Sequence, residues 1–552
     1  MPIITQLCRL SGKTFLINEE DQAYYQKIDV SLPTLCPAER QRRRLTFRNE
    51  RNLYSRKCDL TGQQIISNYS PTKTFKVYDK DVWWSNQWDP FSYGRSYDFS
   101  KSFFEQFREL QKIVPRINLY SKGGENIAYT NHATYNKNCY MLFNATHCED
   151  VHYSTNYIIS SRDCIDCYSI NHCELLYDSI FCENCHKSTN LVNCKNCRDS
   201  SFLYDCRGCE SCLLCWNLRN KKYCLENKQY TKEEYEQKIN QFDLGSYQTY
   251  QNFKNRFLKL VQNEAIHRAT IIDQSENCTG NYLFSSKNTK DSFYAIACED
   301  SKYIYDGYGH KDAYDCYESA FEAERQYECY ACNYLKFSYG CHVSQEGYNL
   351  YYTDYCYNSN DLFGCIGLRR AKYCLLNKQY SKEDYLALKE RIINQMKTDK
   401  QWGEFLPSEY SPFAYNESVA QDFMPLPKEE ILKRGLQWFE APIPNQINQK
   451  KFVIPDNIKV APDTICNEIL ECKITHKPYK IIPPELKFYH KLNIPIPHKC
   501  FEQRHKERTY FRHPRTLYPR SCTCCHLNLN SPYEVSCHEK IYCENCYLKS
   551  VY

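Results

Sequence analysis

The most regular alternation of polar and apolar positions lies between residues 173 and 209. Cys173, Cys185, Cys197 and Cys209 hold the first place of a unit that recurs every 12 residues (185 minus 173), and Cys182, Cys194 and Cys206 hold the tenth. Short apolar runs such as Phe202-Leu203-Tyr204 fall between them. A short fixed period with identical residues in register predicts a solenoid. The region is rich in Tyr, Cys, Ser and Asn and poor in Gly, Pro and helical periodicity, so a β-solenoid with inward ladders of Cys and Tyr is expected. The unit is either one narrow coil or half of a wider one. Helical patterning appears elsewhere. Phe103, Phe107 and Leu110 share one face over 101–113, with Ser102 and Glu105 at the start and Pro115 as the stop. Thr231 and Glu234 form a capping box with Tyr230 and Tyr235 as its staple, predicting a helix over 232–262; Ser381, Asp384, Tyr380 and Tyr385 predict another over 382–397. Eight prolines (407, 412, 425, 427, 442, 444, 455 and 462) make 405–465 an extended strap, with one short helix near 428–434 ended by Gly435.

The chain is duplicated twice over. Residues 8–84 align without a gap with 472–548 at an offset of 464 (472 minus 8). Inside them, Asn217-Leu218-Arg219 and Asn227-Lys228-Gln229-Tyr230 recur as Gly367-Leu368-Arg369 and Asn377-Lys378-Gln379-Tyr380 at an offset of 150 (377 minus 227). Cys182, Cys206 and Cys215 then match Cys332, Cys356 and Cys365. The expected segments are an N-terminal module over 1–90, a helical connector over 91–120, inner repeats over 121–265 and 266–400, the strap over 401–465 and a C-terminal module over 466–552. The expected fold class is mainly β with accessory helices: a duplicated β-solenoid flanked by two homologous zinc-ribbon-like modules.

Composition narrows the chemistry. The net charge of +5 is weak for 552 residues, so any nucleic-acid surface must be local, while 35 Cys and 50 Tyr are unusual. The start, MPIITQLCRL, lacks a basic and then apolar leader, and no stretch reads as a membrane span. The expected compartment is the cytoplasm, where thiols stay reduced; export would change the reading of every cysteine. The pairs Cys182/Cys185, Cys194/Cys197 and Cys206/Cys209 leave three readings open: metal ligands, disulfides, or buried free thiols acting as small core residues. The second repeat carries Leu335, Ser344, Ser359 and Leu362 where the first has Cys185, Cys194, Cys209 and Cys212, which favours free thiols.

The N-terminal module reads C-x2-S-G-K-x-F over residues 8–15, then Tyr24-Tyr25, then Pro33, Cys36-Pro37 and Arg40. This resembles the small "probable zinc-ribbon" domain of bacteria and plastids. The resemblance implies a zinc-ribbon fold and a four-cysteine site, but Ser11 and Glu39, and in the other copy Thr475 and Gln503, stand where ligands belong. Cys8 with Cys36, and Cys472 with Cys500, are too few ligands for a closed zinc site, and each pair would lie close enough to bridge if oxidised. The second half differs between copies. Cys522-x2-Cys525 and Cys543-x2-Cys546 have the spacing of a structural Zn²⁺ site, with Cys524 as a substitute for Cys525; the N-terminal copy has Cys58, Thr61, Asp79 and Val82 there. The whole chain, through NKQYTKEEY and RNERNLYSRKC, also resembles an uncharacterised cysteine-rich protein family of small-genome uncultivated bacteria, which implies no known activity.

Arg40, Arg44, Arg48 and Arg51 are spaced as one helix face, and Arg504, Arg508, Arg512 and Arg515 repeat them. One reading is a phosphate-contacting stripe for RNA or a ribonucleoprotein; the other is packing on tyrosines with pairing to Glu39, Glu50 or Glu507. Three functions follow: a non-enzymatic zinc-containing scaffold that binds RNA, a protein-interaction scaffold of a surface or envelope assembly, and, least favoured, a carbohydrate-active or thiol-redox enzyme. His147, His152, His172, His186, His310 and His342 sit in no motif that carries chemistry, and no catalytic residue is assigned.

Overall fold

The computed structural model describes residues 2–318, 323–324, 326–327, 338–339, 344, 346–441 and 452–552. Cys332, Leu335, His342 and the strap prolines 442 and 444 lie outside the described residues. The architecture is mainly β, with two β-solenoids and two end modules. Contacts divide the chain into two units, each built from separated pieces: Met1–Leu119 with Thr270–Glu440, and Tyr120–Ala269 with Ala441–Tyr552. The N-terminal module therefore sits on the second solenoid and the C-terminal module on the first.

One coil of the solenoid is 12 residues. Parallel ladders pair Thr189 with Ser201, Ser201 with Leu213, Phe293 with Tyr305, and Leu350 with Leu362. The coil turns a corner every third residue, because that residue adopts the left-handed region. Asn184, Lys187, Asn190, Asn193, Asn196, Asp199, Phe202 and Asp205 all have φ between 45° and 59°. Asn and Asp tolerate this region, whereas Phe202, Phe181 and Leu175 adopt it at a cost of about 1–2 kcal/mol each, so the ladder imposes it on them. The residue after each corner points inward, and the narrow interior admits small side chains: Cys182, Cys185, Ser188, Leu191, Cys194, Cys197, Ser200 and Leu203 are all buried.

The inward thiols close on the backbone. Cys173 Sγ donates to the carbonyls of Asn171 (3.3 Å) and Cys182 (3.6 Å), and Cys194 Sγ to those of Val192 (3.4 Å) and Leu203 (3.6 Å). Serine fills the same role: Ser200 Oγ donates to the Arg198 carbonyl (2.7 Å) and accepts from Cys212 N–H (3.0 Å). Ser359 does likewise with the Tyr357 carbonyl (2.8 Å) and Ala371 N–H (3.0 Å). Cysteine and serine are thus interchangeable here, which explains Ser344 and Ser359 where the first repeat has Cys194 and Cys209. The described ladder cysteines are free thiols.

Asparagines seal the coils. Asn227 Oδ1 accepts from Trp216 N–H (2.9 Å) while its Nδ2 donates to the Trp216 carbonyl (2.9 Å); Asn377 repeats this on Ile366 (2.7 and 2.8 Å). The shared NKQY sequence is therefore a solenoid cap, followed by helices Lys232–Ile239 and Lys382–Thr398. The helix expected over 232–262 is two helices, Lys232–Ile239 and Tyr247–Asn263, because a turn through Asp243 and Gly245 restarts the chain at the Ser246 cap. Helices Phe103–Ile113 and Lys428–Lys433 match expectation, and the strap adds a short helix at Val419–Phe423.

Candidate metal centre and arginine clasps

Both modules run hairpin, helix, helix, hairpin, strand, helix. In the C-terminal copy, hairpin Tyr518–Ser521/Asn528–Ser531 presents Cys522 and Cys525, and helix Glu544–Val551 starts between Cys543 and Cys546. The four Sγ atoms lie within 4.8 Å of one another, with Cys525 and Cys543 3.7 Å apart. Tetrahedral metal–sulfur bonds of about 2.3 Å place sulfurs about 3.8 Å apart, so the donor set fits a thiolate-bound ion. Burial opposes ionisation of Cys522, but the N–H groups of Cys525, Cys543 and Cys524 outweigh it and bring the thiol to about 6. Cys524 and Cys525 are both exposed, and it is Cys525 that belongs to the convergent set. Among the described residues no other group of three or more Cys, His, Asp or Glu converges in this way.

The other three sites of the two modules keep the frame without the ligands. Asp79 N–H donates to Cys58 Sγ at 3.3 Å, as Cys543 N–H does to Cys522 Sγ at 3.3 Å. Asp79 itself caps helix Lys80–Trp84. A hydroxyl stands beside each surviving thiol pair: Ser11 Oγ is 3.9 Å from Cys36 Sγ, and Thr475 Oγ1 is 3.6 Å from Cys500 Sγ. Burial opposes ionisation of Cys472, but the Thr475 hydroxyl and the N–H groups of Cys500 and Thr475 bring it to about 7.

The arginine stripes are not single helix faces. The helices end at Thr46 and Arg508, so only Arg40 with Arg44, and Arg504 with Arg508, lie on them. An Asn49 turn carries the chain onward in the first copy, and Arg512 caps the Thr509–Phe511 turn in the second. The helical arginines face the chain's own solenoid. Arg40 and Arg44 both pair with Asp315 (2.9 and 3.3 Å), with side chains 0–2% exposed. Arg504 and Arg508 both pair with Asp166 (2.9 and 3.1 Å), and Arg508 also with Asp178 (3.0 Å). Asp315 and Asp166 are left-handed corner residues, and the guanidinium groups of Arg40 and Arg504 lie over Tyr303 and Tyr153 at 5.2 and 5.1 Å. Arg48 pairs with Glu50 (2.5 Å) and Glu318, and Arg51 Nη2 donates to both carboxylate oxygens of Asp422 (2.8 and 2.7 Å). Arg512 and Arg515 are half-buried. Of the two readings of the stripe, the packed and paired one describes Arg40, Arg44, Arg48, Arg504 and Arg508: these groups are buried against carboxylates, and a phosphate would have to displace them.

A second clasp completes each docking. Arg219 lies over Tyr547 and Tyr552 (5.9 and 5.3 Å), and Tyr547 Oη donates to Asp205 (2.5 Å). In the other unit the equivalent Arg369 lies over Trp83, Trp84 and Trp88 (5.7, 5.9 and 6.0 Å) and donates to the Trp84 and Ser85 carbonyls. The aspartates at the solenoid corners were missed in the sequence; their signal was the Asn/Asp recurrence at every third position. Two histidines are core residues: burial lowers His152 to about 4, and His267 bridges Tyr204, Tyr533 and the Val261 carbonyl. No helix among the described residues is long and apolar enough to cross a membrane.

No protein-family model matches the chain, and no curated protein does. One solved structure, described as "putative acetyltransferase from Desulfovibrio desulfuricans G20", aligns with 46% of this chain and 58% of its own length, at 10% identity and a TM-score of 0.09. The chain spans little more than half of that protein, and so slight a likeness carries no argument.

Proposed function

We propose that the protein is a non-enzymatic scaffold with one structural Zn²⁺, whose solvent-facing solenoid sides receive a protein partner. The zinc reading rests on four convergent thiols with no open position, a donor set suited to folding rather than catalysis. The scaffold reading rests on the burial of the clasp arginines. They are consumed by internal docking, which removes the main support for RNA as the partner. What faces solvent is a ladder of charges paired across neighbouring coils: Arg162 with Glu174 (2.6 Å), and both Arg198 and Lys222 with Glu210 (2.8 Å each). Such flat, regular faces suit an extended protein contact.

The test uses the full-length protein after nuclease treatment. One zinc per chain, a stoichiometric protein partner, and loss of that partner on Glu210→Lys support the proposal. Salt-sensitive RNA affinity that persists without any protein partner overturns it in favour of RNA binding.

A further inference from the structure

One ligand pair of the candidate metal centre, Cys543 and Cys546, is spliced directly onto the elements that dock the module. Cys543 follows Tyr542, the last residue of strand Lys540–Tyr542, which pairs in parallel with Ile266–Arg268. Cys546 precedes Tyr547, which carries the second clasp onto Asp205 and Arg219. Between them, Thr523 N–H donates to the Ile541 carbonyl (2.8 Å) and Ile541 N–H to Thr523 Oγ1 (3.0 Å), tying the first ligand pair to the same strand.

Most of what else holds this half of the module is polar: Ser531 Oγ donates to the Ala269 carbonyl (2.8 Å), Tyr533 Oη meets His267 (2.8 Å), and Arg268 pairs with Glu544 (2.5 Å). Its hydrophobic cluster is Ala269, Tyr533 and Ile541, edged by Leu529 and Cys537. Leu527, Val535 and Leu548 are exposed. The N-terminal copy, lacking the ligands, buries Val77, Tyr78, Trp83 and Trp88 instead. Tyr547 and Val551 are buried as well, but apolar burial on this scale is small, and a metal on four thiolates would add the order it lacks. The other half of the C-terminal module is independent of the metal, because Arg504 and Arg508 fix it on Asp166.

We infer that Cys522, Cys525, Cys543 and Cys546 form a metal-operated latch. Metal binding seats strand Lys540–Tyr542 and Tyr547 on the first solenoid; metal loss frees them while the arginine clasp stays closed. The inference rests on the metal reading given above. Its chemistry is ligand exchange alone: four thiolates bind the ion, and protons return to sulfur when it leaves.

Hydrogen exchange of the full chain, metal-loaded and chelator-treated, with metal content measured in parallel, tests it. Metal removal is expected to speed exchange at 266–268 and 540–552 by roughly 100-fold or more, while 77–84 and 501–508 change by less than about twofold. Linkage also requires the reverse effect: Arg219→Met, which touches no ligand, should weaken metal affinity by roughly tenfold. No metal on the reduced chain overturns both the zinc reading and the latch. One metal per chain, with unchanged exchange at 540–552 after its removal, overturns the latch alone. An Arg219→Met affinity equal to that of the native chain also overturns the latch.

Discussion

The two end modules dock in the same way in their first halves and by different chemistry in their second. In both, two arginines one turn apart grip one aspartate at a solenoid corner, beneath a tyrosine ring. Arg56 and Arg520 likewise repeat a single role, donating to the carbonyls of Ser70 and Glu534 in the second hairpin. Beyond that point one copy rests on indoles and the other on four thiols. The lesson concerns what a repeated residue reports. The arginines persist because each answers a carboxylate buried on the partner surface, where losing either side strands a charge. The four-thiol set is absent from the N-terminal copy, where Trp83 and Trp88 pack beside the corresponding strand Val77–Tyr78.

The largest break in this comparison is expected from Cys543→Ser set against Cys58→Ser. The first should abolish metal binding and cost the C-terminal half-module more than about 5 kcal/mol; the second, which loses only a thiol accepting from Asp79 N–H, about 1 kcal/mol. Urea unfolding with metal analysis distinguishes them. Next come Asp166→Ala and Asp315→Ala. Each removes a carboxylate shared by two buried guanidinium groups and should cost about 2–4 kcal/mol, with the smaller loss at Asp166, where Arg508 keeps Asp178 and Arg504 keeps Glu485.

A smaller effect is expected from acid. Burial raises Asp178, but Lys254 and Arg508 outweigh it and hold the carboxyl near about 2, below its ordinary 3.8. A depressed carboxylate adds stability that is fully present above its unfolded value and lost as pH falls through the folded one. The unit holding Asp178 should therefore lose about 2 kcal/mol between about pH 4 and pH 2, and Asp178→Asn should flatten that slope in acid titrations followed by circular dichroism. The smallest effect is Cys194→Ser, which recreates the serine found at Ser344 and should shift stability by less than about 1 kcal/mol.

The sequence exposed what repeats and hid what folds back. The twelve-residue unit, the capped helices and the four-cysteine spacing were legible because each is a local pattern with a fixed period or offset. The stripe of arginines was legible as a spacing but not as an interface. Its partners Asp166 and Asp315 lie 338 (504 minus 166) and 275 (315 minus 40) residues away and look like ordinary turn residues. The corner period of three was obscured because the ladder forces Tyr, Phe and Leu into a conformation that local preference assigns to Asn and Asp. The break at Gly245 was obscured because 232–262 keeps helical patterning across it.

Two fixed grips on a regular stack also make each module a caliper. Asp166 and Asp205 are held at once by the same module when both clasps are closed, so the number of coils between them is matched to the span from Arg504 to Tyr547. Removing one twelve-residue coil between them would slide one grip by a coil spacing of about 4.8 Å and leave it closing on nothing. A coil added outside that span would lengthen the exposed ladder and leave both grips in place. The molecule can therefore change its reach without changing its assembly, provided that change falls outside the measured interval.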